Sequence, residues 1–254
     1  MPVVLRPVAL ALGLALLLPS AALAKGLKLP AATGQILVVT TDGWEAKTGT
    51  LRRFERAKRG WRAVGEPIPI TVGKTGLGWG RGVFPTGKPA GLEGPEKREG
   101  DGRAPAGVFR LVEATGYAEA APAGTTLRYH HATDRLRCVD DTASPDYNKL
   151  VLAPETGEPA WKSDEHMRRA DALYEWTVVV EHNREPTTAG LGSCIFLHVW
   201  RGPTDPTVGC TAMAPEAMAA VLAWLDAAKR PLLVQLPRPV YKSMRGPAAL
   251  PAAD

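Results

Sequence analysis

The sequence predicts a mainly β protein with a few helices, and three observations carry that expectation. Short runs of β-branched and apolar residues recur along the chain, and 26 glycines and 23 prolines punctuate them with turns. Only two stretches combine a helix start signal with helical apolar spacing. No run after the N-terminus approaches the roughly 20 apolar residues of a spanning helix.

The strand candidates, in order, are residues 36–41, 49–55, 60–64, 68–72, 107–112, 125–130, 177–182, 194–200 and 231–236, and their short connections favour antiparallel pairing. The first helix candidate covers 163–174, with Ser163 as cap and Asp164 and Glu165 in the first turn. The second starts at Pro215, continues through Glu216, Met218, Val221, Leu222 and Leu225, and stops at Lys229-Arg230-Pro231. The glycine-rich stretch 73–102 reads as a long loop, of a length that suits the border of a substrate groove. The Ala/Pro-rich end makes 238–254 a flexible tail.

The N-terminus has its own logic. Arg6 supplies positive charge, residues 8–18 are almost wholly apolar, and Ala22-Leu23-Ala24 forms a small-residue cleavage site. Residues 1–24 are therefore expected to be a signal peptide, 25–34 a linker and 35–237 one domain, with an uncleaved anchor as the alternative. A periplasmic or otherwise extracytoplasmic location follows, with no integral membrane association after processing.

The net charge of +5 is a mild bias, and the one dense basic group, Arg52, Arg53, Arg56, Lys58 and Arg59, lacks the aromatic interleaving of a nucleic-acid surface. No nucleic-acid partner is expected. His130 and His131 are adjacent and point to opposite faces of a strand, and no closely spaced Cys/His pairs occur. Asp140, Asp141 and Asp146 lack the glycine and distal glutamate of a calcium loop. Neither a metal nor a cofactor is expected.

Three cysteines in an exported chain imply one pair and one thiol kept free. Cys210 sits in a turn-like Pro206-Thr207-Val208-Gly209-Cys210 setting, whereas Cys138 and Cys194 lie in or beside apolar strand-like segments. A Cys138–Cys194 disulfide and a free Cys210 are expected. Alternation in 192–200 puts His198 on one strand face with Phe196 and Trp200, and Cys210 follows twelve residues later, just ahead of a helix. A histidine beside a thiol supplies the base that a nucleophilic cysteine needs, and Gly209 lets backbone amides approach a developing oxyanion. The plain alternative is a buried strand histidine and a structural thiol.

These residues resemble the catalytic core of the L,D-transpeptidase family, also called YkuD or ErfK/YbiS/YcfS/YnhG. The matching positions are His198, Thr207-Val208-Gly209-Cys210 and the upstream Arg103-Ala104-Pro105-Ala106-Gly107-Val108-Phe109. The likeness runs from about residue 36 to 236. Two positions depart: Val208 stands where the family has a second histidine, and Ala212 where it often has an arginine. The chain is thus similar to a divergent branch carrying Gly-Ser-Cys-Ile-Phe-Leu-His and Gly-Cys-Thr-Ala-Met. The resemblance implies a β-sandwich-like catalytic domain acting on peptidoglycan stem peptides through an acyl-enzyme. Cys210 is then the nucleophile, His198 the proton donor and acceptor, and Gly209 the oxyanion turn. Arg201, Thr207 and Trp200 are the implied substrate contacts, with Arg201 in place of the missing arginine. The acyl acceptor is a second stem (a 3–3 crosslink), a wall lipoprotein, or water, the last making a carboxypeptidase. The rivals are another envelope cysteine amidase or peptidase and a non-catalytic cell-wall-binding protein.

Overall fold

The computed structural model describes residues 28–253, so the expected signal peptide lies outside the described residues. Its strands, in chain order, are β1 (Gln35–Thr41), β2 (Thr48–Arg56), β3 (Trp61–Thr71), β4 (Leu77–Trp79), β5 (Ala104–Gly116), β6 (Arg128–His131), β7 (Leu136–Val139), β8 (Leu150–Leu152), β9 (Asp164–His166), β10 (Trp176–Val180), β11 (Phe196–Val199), β12 (Thr211–Met213) and β13 (Leu232–Pro237). The helices are α1 (Pro215–Trp224) and α2 (Arg238–Arg245).

The main sheet runs β10-β11-β12-β3-β2-β1-β13-β5 and closes on itself, because β5 pairs with both β13 and β10. The sandwich-like expectation thus takes the form of a closed barrel, which removes the exposed edges of these strands. Most pairs are antiparallel, as the short connections predict. Four are parallel: β1–β13, β11–β12, β4–β5 and β5–β6. The β11–β12 pair matters most here, since the eleven-residue crossing between its strands, residues 200–210, carries the thiol. Every residue of β1 and β13 is buried, and Ile36, Leu37, Leu233 and Leu236 are fully enclosed in the main core with Phe109 and Ile70. α1 covers β10 and β11 through Met218, Val221 and Leu222.

Three expectations change. The helix expected over 163–174 is instead strand β9 followed by turns. Glu165 pairs with Cys138 across β7–β9, and the Asp164 carboxylate takes the Trp161 indole N–H at 2.6 Å and lies 3.3 Å from Arg137 Nε. These tertiary partners outweigh a weak local helix propensity. The tail expected over 238–254 is also not observed. Residues 238–245 form α2, Tyr241 and Met244 are buried in the main core, and the Tyr241 hydroxyl donates to Pro251 O at 2.6 Å. Tyr241 and Met244, three apart, make one apolar helix face, which a compositional reading of the Ala/Pro-rich end overlooks. Finally, 60–64 and 68–72 fuse into the single strand β3, whose pairing with β2 shifts register between Leu51 and Arg53.

A second, three-stranded sheet, β8-β7-β9, stands beside the barrel. A separate apolar cluster fills the seam between them, built from Leu136, Cys138, Met167, Tyr174, Phe196 and Cys210 among others. The Cys138–Cys194 disulfide staples β7 to the segment leading into β11.

Candidate active site

β11 and β12 run side by side in parallel, with Leu197 opposite Thr211 and His198 opposite Ala212. His198 and Cys210, far apart on an extended chain, therefore line one open cleft of about 980 Å³. Thr207 shapes the turn that delivers the cysteine. Its hydroxyl donates to Cys210 O at 2.7 Å and accepts the Gly209 N–H at 3.1 Å. The Thr207 amide donates to Val72 O, and its carbonyl accepts from the Lys74 amide. Gly209 adopts φ +155°, and a Cβ there would stand 3.2 Å from Arg103 O, so glycine is required for backbone reasons.

The Gly209 amide is committed to Thr207, so an oxyanion donor at this turn would be another amide near Cys210, and glycine's own part is conformational. The Thr207 hydroxyl is likewise engaged within the turn, while the residue also lines the cleft. The glycine-rich 73–102 segment braces the same turn from behind, through Gly73 and Lys74, and does not line the cleft.

Cys210 is the free cysteine and is 4% exposed. Its sulfur accepts the Phe196 N–H at 3.3 Å, and its S–H faces Cys194 O at 3.7 Å. Burial pushes the thiol well above its ordinary value, and the nearby Glu165 carboxylate pushes it further. His198 is 6% exposed, and burial lowers its imidazole to about 4 against the pull of carbonyl acceptors. Both groups are thus neutral at rest. His198 Nδ1 lies 2.7 Å from Val199 O, an acceptor that holds the proton on Nδ1 and leaves the lone pair on Nε2. Among the described residues no hydrogen bond joins His198 to the Cys210 sulfur, which is common before substrate tightens a site.

The opposite wall is the 164–174 segment, which the sequence reading missed as a site element. The Tyr174 ring meets Phe196 and His198 edge to face, at centroid distances of 5.6 and 5.2 Å. Leu173 O takes the Val199 N–H at 3.1 Å and ties this wall to β11. Arg169 forks onto Asp171 at 2.8 and 3.0 Å and lies over the Tyr174 ring. The Tyr174 hydroxyl donates to Glu165, whose carboxyl is raised by burial. The expected disulfide was the one signal in the sequence for this wall, because pairing Cys138 with Cys194 draws the surroundings of Cys138 to the thiol.

Trp200 and Arg201 follow β11 at the mouth of the cleft. Trp200 is half-buried, with its amide on Met213 O at 2.9 Å. Arg201 is exposed and makes no hydrogen bond or ion pair among the described residues. Val208, 68% exposed, lines the cleft at the position where the family carries a second histidine.

Fold and site together define a mainly β domain of the barrel type, with a cleft that pairs one thiol with one imidazole. The chain matches the family model YkuD, the L,D-transpeptidase catalytic domain, over residues 50–240, and it belongs to that family, which acts on peptidoglycan. No curated protein and no solved structure matches it.

Proposed function

We propose that the protein is a cysteine-dependent L,D-transpeptidase working outside the cytoplasm on peptidoglycan stem peptides. The observation that carries this reading is the pairing in one cleft of the free Cys210 with His198 on the adjacent strand, while the other two cysteines are bonded to each other. The disulfide also suits an oxidising compartment.

In the proposed reaction His198 Nε2 takes the Cys210 thiol proton as the sulfur attacks the carbonyl between the diamino-acid L-centre and the terminal D-alanine. The C–N bond breaks, the imidazolium protonates the departing amine, and D-alanine leaves a thioester on Cys210. An acceptor amine then attacks the thioester, the C–S bond breaks and the thiol is restored. The exposed guanidinium of Arg201, which lines the cleft and makes no hydrogen bond or salt bridge among the described residues, is suited to the substrate carboxylate. Transfer to water would make the same site an L,D-carboxypeptidase, and transfer to a lipoprotein amine would anchor that protein to the wall.

The test is incubation of the mature protein and a Cys210→Ala variant with purified disaccharide tetrapeptide, followed by mass spectrometry of protein and products. An adduct on the wild type alone, with loss of D-alanine, is the expected result. Absence of both adduct and turnover would remove stem peptides as the donor.

A further inference from the structure

Four carboxylates line the cleft, three of them on the wall opposite the thiol, and all but one have evident occupations. Asp171 is held by both arms of Arg169. Asp164 is engaged by Trp161 and by the nearby Arg137. Asp205 is exposed and solvated at the rim. Glu165 differs, because it is partly buried, lines the cleft, has the Tyr174 hydroxyl on its carboxylate and makes no salt bridge of its own among the described residues, the Arg169 charge that acts on it being already forked onto Asp171.

Its position is tightly constrained. Glu165 lies directly opposite Cys138 in the β7–β9 pair, Cys138 is bonded to Cys194, and Cys194 O faces the Cys210 sulfur at 3.7 Å. Directly opposed residues on antiparallel strands share a face. The Tyr174 that holds the carboxylate also packs its ring on His198. A carboxylate withdrawn from water without a cation is costly, and a cation brought by a ligand removes that cost.

We propose that Glu165 is the catalytic carboxylate that receives the ammonium group of the acyl acceptor and takes its proton, so that the site favours transfer to an amine over transfer to water. This rests on the transpeptidase reading above, in which the acceptor is a primary amine that arrives protonated, and adds the group that receives it. Such an amine, with a solution pKa near that of lysine at about 10.4, has no free lone pair at neutral pH until a base takes one proton. In the step, the ammonium gives one proton to Glu165. The nitrogen lone pair then forms a C–N bond to the thioester carbonyl, and the C–S bond breaks. His198 carries the second nitrogen proton to the departing sulfur, which leaves an amide, a neutral Cys210 thiol and a protonated Glu165. The burial that raises the Glu165 carboxyl makes it a better base for this purpose.

The same carboxylate opposes ionisation of Cys210, so its removal has opposite consequences for the two half-reactions. The experiment compares wild type, Glu165→Gln and Glu165→Asp, using disaccharide tetrapeptide as donor and Nα-acetyl-lysine amide, whose free ε-amine is protonated at neutral pH, as acceptor. It reads the rate of acyl-enzyme formation and the ratio of aminolysis to hydrolysis products. In Glu165→Gln the ratio is expected to fall at least about tenfold while acylation quickens a few-fold, and Glu165→Asp is expected to recover part of the ratio. An unchanged ratio, a wild type that only hydrolyses, or acylation and ratio falling together would each overturn the proposal. A wild type that forms no acyl-enzyme would overturn the transpeptidase reading with it, and so stands apart from those three results.

Discussion

At the scale of single residues, the site rests as a neutral pair. Burial holds the Cys210 thiol protonated and the His198 imidazole unprotonated, at about 4. A preformed thiolate–imidazolium pair would be reactive over a broad pH range, whereas a thiol with a raised pKa exposes its nucleophile in proportion to hydroxide. Alkylation of Cys210 by iodoacetamide is therefore expected to be slow at pH 7 and to rise about tenfold per pH unit from 7 to 9. A rate that is level across that range would contradict the neutral pair. The proposed reaction avoids this penalty, because in it His198 takes the proton as the carbon–sulfur bond forms. Gly209 belongs to this scale too: its backbone angle and the nearness of Arg103 O make any side chain strained in the turn that presents the sulfur.

At the scale of elements, two segments depart from what their sequences suggest. The 164–174 wall shows how long-range pairing overrides a capping signal, since Asp164 and Glu165 find partners on β7 and in the cleft that an isolated helix would not offer. The C-terminal α2 shows the reverse case, a short helix secured by burial of one face. Tyr241, Met244 and Leu250 are each under a tenth exposed. A chain ending at Pro237 is expected to lose roughly 5 kcal/mol from burying these three side chains. That corresponds to a fall in Tm of about 10 °C or more by thermal melting. An unchanged Tm would show that the segment is a solvated tail after all.

At the scale of the whole molecule, closure of the barrel and the staple to the small sheet bury groups that must remain uncharged. His182 and His198 are both lowered by burial to about 4, in His182 against two carbonyl acceptors, Arg81 O and Leu191 O. Both histidines take up protons near pH 6.5 when the chain unfolds. Between pH 6.5 and about 4 the unfolded state therefore binds more protons, and stability is lost as pH falls through that window. By pH 5 the loss is on the order of 2 kcal/mol per histidine. Glu165 and Glu181, raised by burial, act in the opposite direction near the lower end. Tm measured at pH 7 and pH 5 should fall for the wild type and fall less for His182→Gln. An equal fall in both would remove His182 from the account.

The sequence by itself determined what local patterning can encode. Alternating apolar runs and frequent turns specified a mainly β chain, and Pro215 with Met218, Val221 and Leu222 specified α1. The resemblance of His198 and Thr207-Val208-Gly209-Cys210 to the family's catalytic core, with an odd cysteine count, marked out the Cys–His pair as the candidate. Only the tertiary structure decided the rest. Barrel closure depends on β5 pairing with β10 about 60 residues away, the cleft wall on β9 pairing with β7, and the spending of the Gly209 amide on a hydrogen bond to Thr207. Each is a choice among competing partners that lie close only once the chain is folded, so no local pattern of apolar spacing or propensity contains it.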